Sequence, residues 1–451
     1  MDESKTCLLA SERWFEATSK HMPIIIRHSS AMVRAASVTC FAGMTSPVFF
    51  SLPKDKQDFI ISSSINAAVN DEVPSVRSAA CRAIGVIACF PQIYCSTEIL
   101  EKFIHAAEHN VVDSQLSVRI TASWALANIC DSLSHSMDAL QAGKGSIESG
   151  KNSQLISLLV GSALQLTKDN DKVKANAVRA LGNLSRSIQF SSSPHLCGDP
   201  VDHSQLKIEH NGMKGYKDDT KERSRSSPSA SSRSLDWLEQ MVQAFLSCVT
   251  TGNVKVQWNV CHALSNLFLN KTLKLQDMDW ASSVFSILLL LLRDSSNFKI
   301  RIQAAAALAV PETVDDYGKS YYDVVKSVEH VAENFKFDQI SEPSNFKYWI
   351  ALEKQLTSTM LHLLGLAARC DHRAMQDFLI KKSSFLENWI KDLCTCLGDT
   401  SNSLGEVKDV VSANQKKDVI LGVIQSLIKV YESSNHHVIA HRFNRLANSL
   451  L

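Results

Sequence analysis

A helical phrase returns six times in this chain, opening at Val33-Arg34, Val76-Arg77, Val118-Arg119, Val173-Lys174, Val256-Gln257 and Ile300-Arg301. Its fullest form, V-R-x-x-A-x-x-A-L-x-x-L, is nearly complete from Val173 to Leu184. The openings lie 43, 42, 55, 83 and 44 residues apart. The two long steps carry inserts near 142–154 and 191–232, and without them each step is about 42 residues. A helical unit of that length cannot bury its own apolar face, so successive units must stack. The expected fold is all-α, an α-solenoid.

With the valine as position zero, apolar or small residues fall at +4, +7, +8 and +11, as Ala177, Ala180, Leu181 and Leu184 do. Those offsets share one stripe of a helix. The +7 column is small throughout: Cys40, Ala83, Ala125, Ala180, Ala263 and Ala307. Small side chains there permit neighbouring helix axes to approach within about 8–10 Å. A second apolar helix precedes each phrase, at Gln57–Val69, Leu155–Leu166, Leu235–Val249 and Trp280–Leu292 among others. The predicted repeat is therefore an antiparallel helix pair.

Asp71 and Asp113 each stand six residues before an arginine, Arg77 and Arg119. This resembles the HEAT-repeat pattern, in which such residues form an Asp–Arg ladder between repeats. His28, Lys168, Thr251 and Ser295 hold the corresponding places elsewhere, so the ladder is expected at the second and third repeats alone. The A-L-x-N-L endings at 180–184 and 263–267 are similar to armadillo repeats instead. The most specific stretches are Asn297–Pro311, Val256–Phe268 and Ala351–Leu364. The resemblance implies a HEAT/armadillo-like superhelix and a scaffolding role. The predicted organisation is repeats one to four over 1–190, a disordered Ser-rich insert over 191–234, repeats five and six over 235–311, and a less regular helical portion over 312–451.

Composition narrows the function classes. The net charge is +1, which disfavours bulk binding to nucleic acid or an acidic membrane. The 12 cysteines form no C-x-x-C pair, which suits reduced thiols and a cytoplasmic or nuclear location. The opening Met-Asp-Glu-Ser lacks a signal-peptide pattern. The apolar run Ile287–Leu292 is too short to span a bilayer. Trp14, Phe15 and Ile24–Ile26 follow closely behind Met1, where an end repeat would be polar; the natural chain is thus expected to continue N-terminally.

Catalytic chemistry is thinly represented. His105-Ala-Ala-Glu108-His109 matches the letters of an inverted zinc-protease motif, but it falls on a first helix where solvent-facing polar residues are expected. His437 and His441 share a helix face with no acidic or thiolate partner near. Glycine-rich phosphate loops, nucleophile elbows and kinase motifs are missing from the sequence. No enzyme, metal or cofactor is expected, a zinc-dependent hydrolase being the distant alternative. The insert holds 11 serines in 44 residues and too little aliphatic surface to order itself. Within it, Arg223-Ser-Arg225-Ser226-Ser227-Pro228 suits basophilic and proline-directed kinases, making Ser226 and Ser227 candidate phosphorylation sites.

The site expectation is a polar stripe at +3, +6 and +10 of the second helices. It comprises Thr121, Trp124 and Asn128, then Asn176, Arg179 and Asn183, then Asn259, His262 and Asn266, with Arg82 alongside. Trp124 and Asn128 are similar to the W-x-x-x-N pair with which armadillo proteins hold an extended peptide. An amide offers both donor and acceptor to a peptide group; the competing role for these asparagines is satisfying backbone groups within the fold. The stripe is expected to face solvent on the concave side and to bind a protein segment, acidic or phosphorylated given its arginines. The alternative function is a nuclear-transport-type adaptor for a linear sorting signal.

Overall fold

The computed structural model describes residues 3–142, 149–190, 230–334, 346–401 and 407–450. Within them all regular structure is helical. The second helices, α3 (Ala31–Phe41), α6 (Pro74–Ile87), α9 (Leu116–Ala142), α11 (Asp171–Ser187), α13 (Val254–Phe268) and α15 (Phe298–Leu308), pack each on the next in one layer. The layer continues through α18 (Phe346–Leu366) and α21 (Val407–Ser433). First helices form the other layer: α5 (Lys54–Asn70), α8 (Thr97–Val111), α10 (Ser149–Leu166), α12 (Ala230–Thr251), α14 (Ala281–Asp294), α17 (Tyr321–Glu333) and α20 (Ser383–Ser401). The chain opens on α1 (Glu3–Glu16) and ends on α22 (His437–Leu450). Short helices α2 (Met22–Ile25), α4 (Ser46–Ser51), α7 (Pro91–Tyr94), α16 (Val314–Tyr317) and α19 (Arg373–Lys381) make connections. The stacking thus outlasts the sequence period, which fades after Pro311. The insert lies outside the described residues up to 229, and helix α12 begins inside its expected span, at Ala230.

The core columns fall where the phrase places them. Val76, Val118, Val173, Val256 and Ile300 are buried, and so are Ile84, Leu126, Leu181, Leu264 and Leu308 at +8. The +7 alanines are buried too, while Cys40 is exposed. The +7 side faces the preceding second helix, and α3 has none before it among the described residues. Burial pushes the Cys81 and Cys261 thiols up to about 12, leaving them as small hydrophobes.

Two devices fix the loops between paired helices. In the first three repeats an arginine at +1 reaches forward to an aspartate of the next repeat: Arg34 Nε to Asp71 Oδ2 at 2.7 Å, Arg77 Nη2 to Asp113 Oδ2 at 2.7 Å, Arg119 Nε to Asp169 Oδ2 at 2.8 Å. The Nη1 of Arg77 also donates to the carbonyls of Asp71 and Glu72, both at 2.9 Å. The ladder therefore has three rungs instead of two, and its third acid is Asp169, the residue after Lys168. From the fourth repeat onward Asn170, Asn253 and Asn297 take over by capping α11, α13 and α15.

The ladder carries a pH signature. Asp71 and Asp169 are held below the usual carboxylate range chiefly by their arginine hydrogen bonds. At Asp113 burial pulls upward, and the Gln115 N–H and Arg77 outweigh it. A depressed folded pKa gives stability that is present above the unfolded value, about 3.9, and lost as pH falls through the folded one. The melting temperature of the wild type should therefore drop below about pH 4 more steeply than that of Arg77→Gln. Parallel curves for the two proteins in thermal melts from pH 7 to 3 would remove the ladder from this account.

Candidate functional site

The candidate surface is the face of the second helices turned away from their first-helix partners. At about 100° per residue the core offsets 0, +4, +8 and +11 span about 80°, and +6 points away from them. The +9 side meets the following helix. An added Cβ at Gly182 would sit 2.6 Å from the Ala263 Cα, and at Gly85 2.9 Å from the Ala125 Cα. Both targets are +7 residues of the next helix. What remains open is a strip around +6, with +2 and +13 within about 40° of it.

This geometry separates the predicted residues. Asn176 and Asn259, at +3, are buried and do not face solvent as expected. Asn176 Nδ2 donates to the Ile120 carbonyl and to Ser123 Oγ, both at 3.1 Å, and Asn259 Nδ2 to the Ala175 carbonyl at 2.6 Å. Each recipient carbonyl is the +2 group of the preceding second helix. Thr121 makes the equivalent contact, its Oγ1 lying 2.7 Å from Ser78 Oγ. At +10 the pattern recurs one turn-pair later: Asn128 Nδ2 donates to Gly85 O at 2.9 Å and Asn183 Nδ2 to Ala127 O at 3.2 Å. These asparagines are register pins between repeats, since a donor that must find one carbonyl penalises any slide of helix on helix. The +3 side faces backward along the stack, so the core-adjacent half of the predicted stripe became an interface.

The +6 row stays half-open. The Arg82 guanidinium, exposed, lies 5.5 Å over the Trp124 ring, whose edge covers Gly85. Arg179 donates to Asn128 Oδ1, which commits both ends of that amide. Burial lowers the Arg179 pKa against the pull of Asp131, and its Nε has no hydrogen-bond partner. His262 stands edge-on to Trp258 at 4.2 Å, with its Nε2 also unpaired and its pKa lowered by burial. Asn266 is half-buried. The sequence reading overlooked the +13 and +2 places: Arg186 and Leu269 at +13 and Trp258 at +2 are exposed. Extending the register one turn beyond the phrase reaches Arg186 and Leu269, and the helical angle of +2 places Trp258 beside them.

The other candidates disperse. His105 and His109 are exposed, and Glu108 Oε1 accepts from Ser162 Oγ of the next first helix at 2.6 Å. His437 and His441 are exposed on α22. Among the described residues no three His, Cys, Asp or Glu side chains gather as a metal site, and no helix is long and apolar enough to cross a membrane. Ser226 and Ser227 lie outside the described residues.

Residues 64–88, from α5 into α6, match the HEAT repeat family model. A putative uncharacterized protein of Dictyostelium discoideum is 25% identical over 407 residues, covering 74% of this chain. The chain spans 26% of that relative's length. Among solved structures, a designed armadillo repeat protein overlays 64% of this chain and 98% of its own, with a TM-score of 0.41 and 16% identity. An engineered protein overlays 97% of this chain and 99% of its own, with a TM-score of 0.38 and 12% identity. Superpositions that loose carry nothing about ligands. The paired-helix stack makes this an all-α solenoid, and one of its helix pairs matches the HEAT repeat.

Proposed function

We propose that the chain is a non-enzymatic interaction scaffold, holding an extended segment of a partner protein along the open strip of its second helices. The segment is acidic or phosphorylated. One observation carries this reading: Arg82, Arg179 and Arg186 line the strip on α6 and α11, with Trp124 between them and Asp131 as the opposing acid on α9. Guanidinium groups suit carboxylate and phosphate, and aromatic faces give an extended chain something to lie on. A transport adaptor for a basic signal would need acids where Arg82 and Arg179 stand. We further read the chain as similar to the C-terminal part of HEAT repeat-containing protein 6 and as cytoplasmic, nuclear or both.

Fluorescence anisotropy with labelled acidic, phosphorylated, neutral and basic peptides tests the proposal. Acidic or phosphorylated peptides should bind best, weakening as salt rises. The double variant R82E/R186E changes two exposed side chains, so it should keep its melting temperature and lose about tenfold or more in affinity. Preferential binding of the basic peptide would sink the proposal.

A further inference from the structure

The open strip changes chemistry along the stack. On α6 to α11 it presents Arg82, Trp124, Arg179 and Arg186, with Asp131 as the single acid among the +2, +6, +10 and +13 places. On α13 the same places hold Trp258, His262, Asn266 and Leu269, and on the shorter α15 the +2 and +6 places hold Ile302 and Ala306. Apart from the histidine, whose imidazole is half-buried against Trp258, none of these six residues is ionisable. Trp258 and Leu269 are 37% and 46% exposed, large apolar surface on the face that carries arginines on α6 and α11.

Resting on the scaffold reading above, we infer that the ligand is a two-part extended peptide, with an acidic block over α6–α11 and an adjoining apolar block over α13–α15. The dimensions set its length. Four helix-to-helix steps at about 10 Å give about 40 Å, which an extended chain covers in about 12 residues at about 3.3 Å each. Each block is therefore about six residues long. The acidic half supplies charge complementarity and steering, and the apolar half covers the exposed indole and leucine, as the desolvated centre of an interface does.

Four labelled synthetic peptides of about 12 residues probe this with the full chain: acidic-then-apolar, apolar-then-acidic, acidic with a Gly/Ser half, and apolar with a Gly/Ser half. One composite order should bind about tenfold more tightly than the acidic peptide, the preferred order giving the direction of the bound chain. Leu269→Asp should erase that gain and leave the acidic peptide's affinity alone. Arg82→Glu should weaken the composite and the acidic peptide by about tenfold each. In wild-type protein the composite's advantage over the acidic peptide should survive added salt, a result needing no variant to fold. If neither composite exceeds the acidic peptide, the two-part ligand is wrong and the scaffold reading stands. If no peptide binds, or a basic control binds best, both fall together.

Discussion

Gly182→Ala is expected to destabilise the protein by about 2 kcal/mol, whereas the same change at Gly161 is expected to stabilise it by about 0.5–1 kcal/mol. Both glycines lie inside helices, where alanine is ordinarily the better residue. A Cβ at Gly161 meets nothing within 4 Å, while one at Gly182 would lie 2.6 Å from the Ala263 Cα and 2.7 Å from its Cβ. The obstruction is backbone, which cannot swing aside as the tip of a flexible side chain does. Relief requires α11 and α13 to separate, and that separation stretches the Asn259 bond to the Ala175 carbonyl across the same interface. Gly182→Val should therefore cost more than Gly182→Ala. Urea titrations of the three variants read the sign directly. A stabilised Gly182→Ala would mean that α11 and α13 leave room for a methyl group, and the close approach would play no part in holding their register.

The same interface explains what was legible in the sequence. The core stripe was, because Val173, Ala177, Leu181 and Leu184 face their own first helix and must all be apolar; periodicity reports such a face whatever its neighbours do. The site stripe was legible only in part. Trp124, Arg179 and His262, at +6, do lie on the half-open side, but periodicity gives no sense of which side faces the preceding repeat. Asn176 and Asn259 sit on that side, so their amides serve carbonyls of the fold, and a polar residue type alone does not distinguish this from a ligand contact. The third ladder rung failed for another reason: counting six residues back from Lys174 gives Lys168, and the acid that Arg119 reaches is one residue later, at Asp169. A contact between repeats need not keep the spacing that holds within one. Beyond Pro311 the phrase disappears although α18 and α21 continue the layer, because other side chains, Tyr321 and Tyr431 among them, fill the core there.

Leu264→Ala should cost about 2–5 kcal/mol, with Leu181→Ala close behind. Both side chains are fully buried at +8, turned to the first helix of their own repeat. A solenoid has no distant core to share the loss, since each repeat is stabilised by its own pair and its two neighbours. The damage should accordingly stay local before it becomes global. Hydrogen exchange should accelerate first in α12 and α13, while α6 and α9, locked by the Arg77–Asp113 and Arg119–Asp169 pairs, keep their protection. That pattern has a functional corollary. The apolar half of the open strip, Trp258 and Leu269, rides on the helix that Leu264 anchors, whereas Arg82 and Trp124 ride on helices it does not touch. Leu264→Ala should then impair binding of a peptide's apolar block at temperatures where its acidic block still binds. A uniform rise in exchange along the whole chain would show instead that the repeats unfold as one unit, and the two halves of the strip would lose their ligands together.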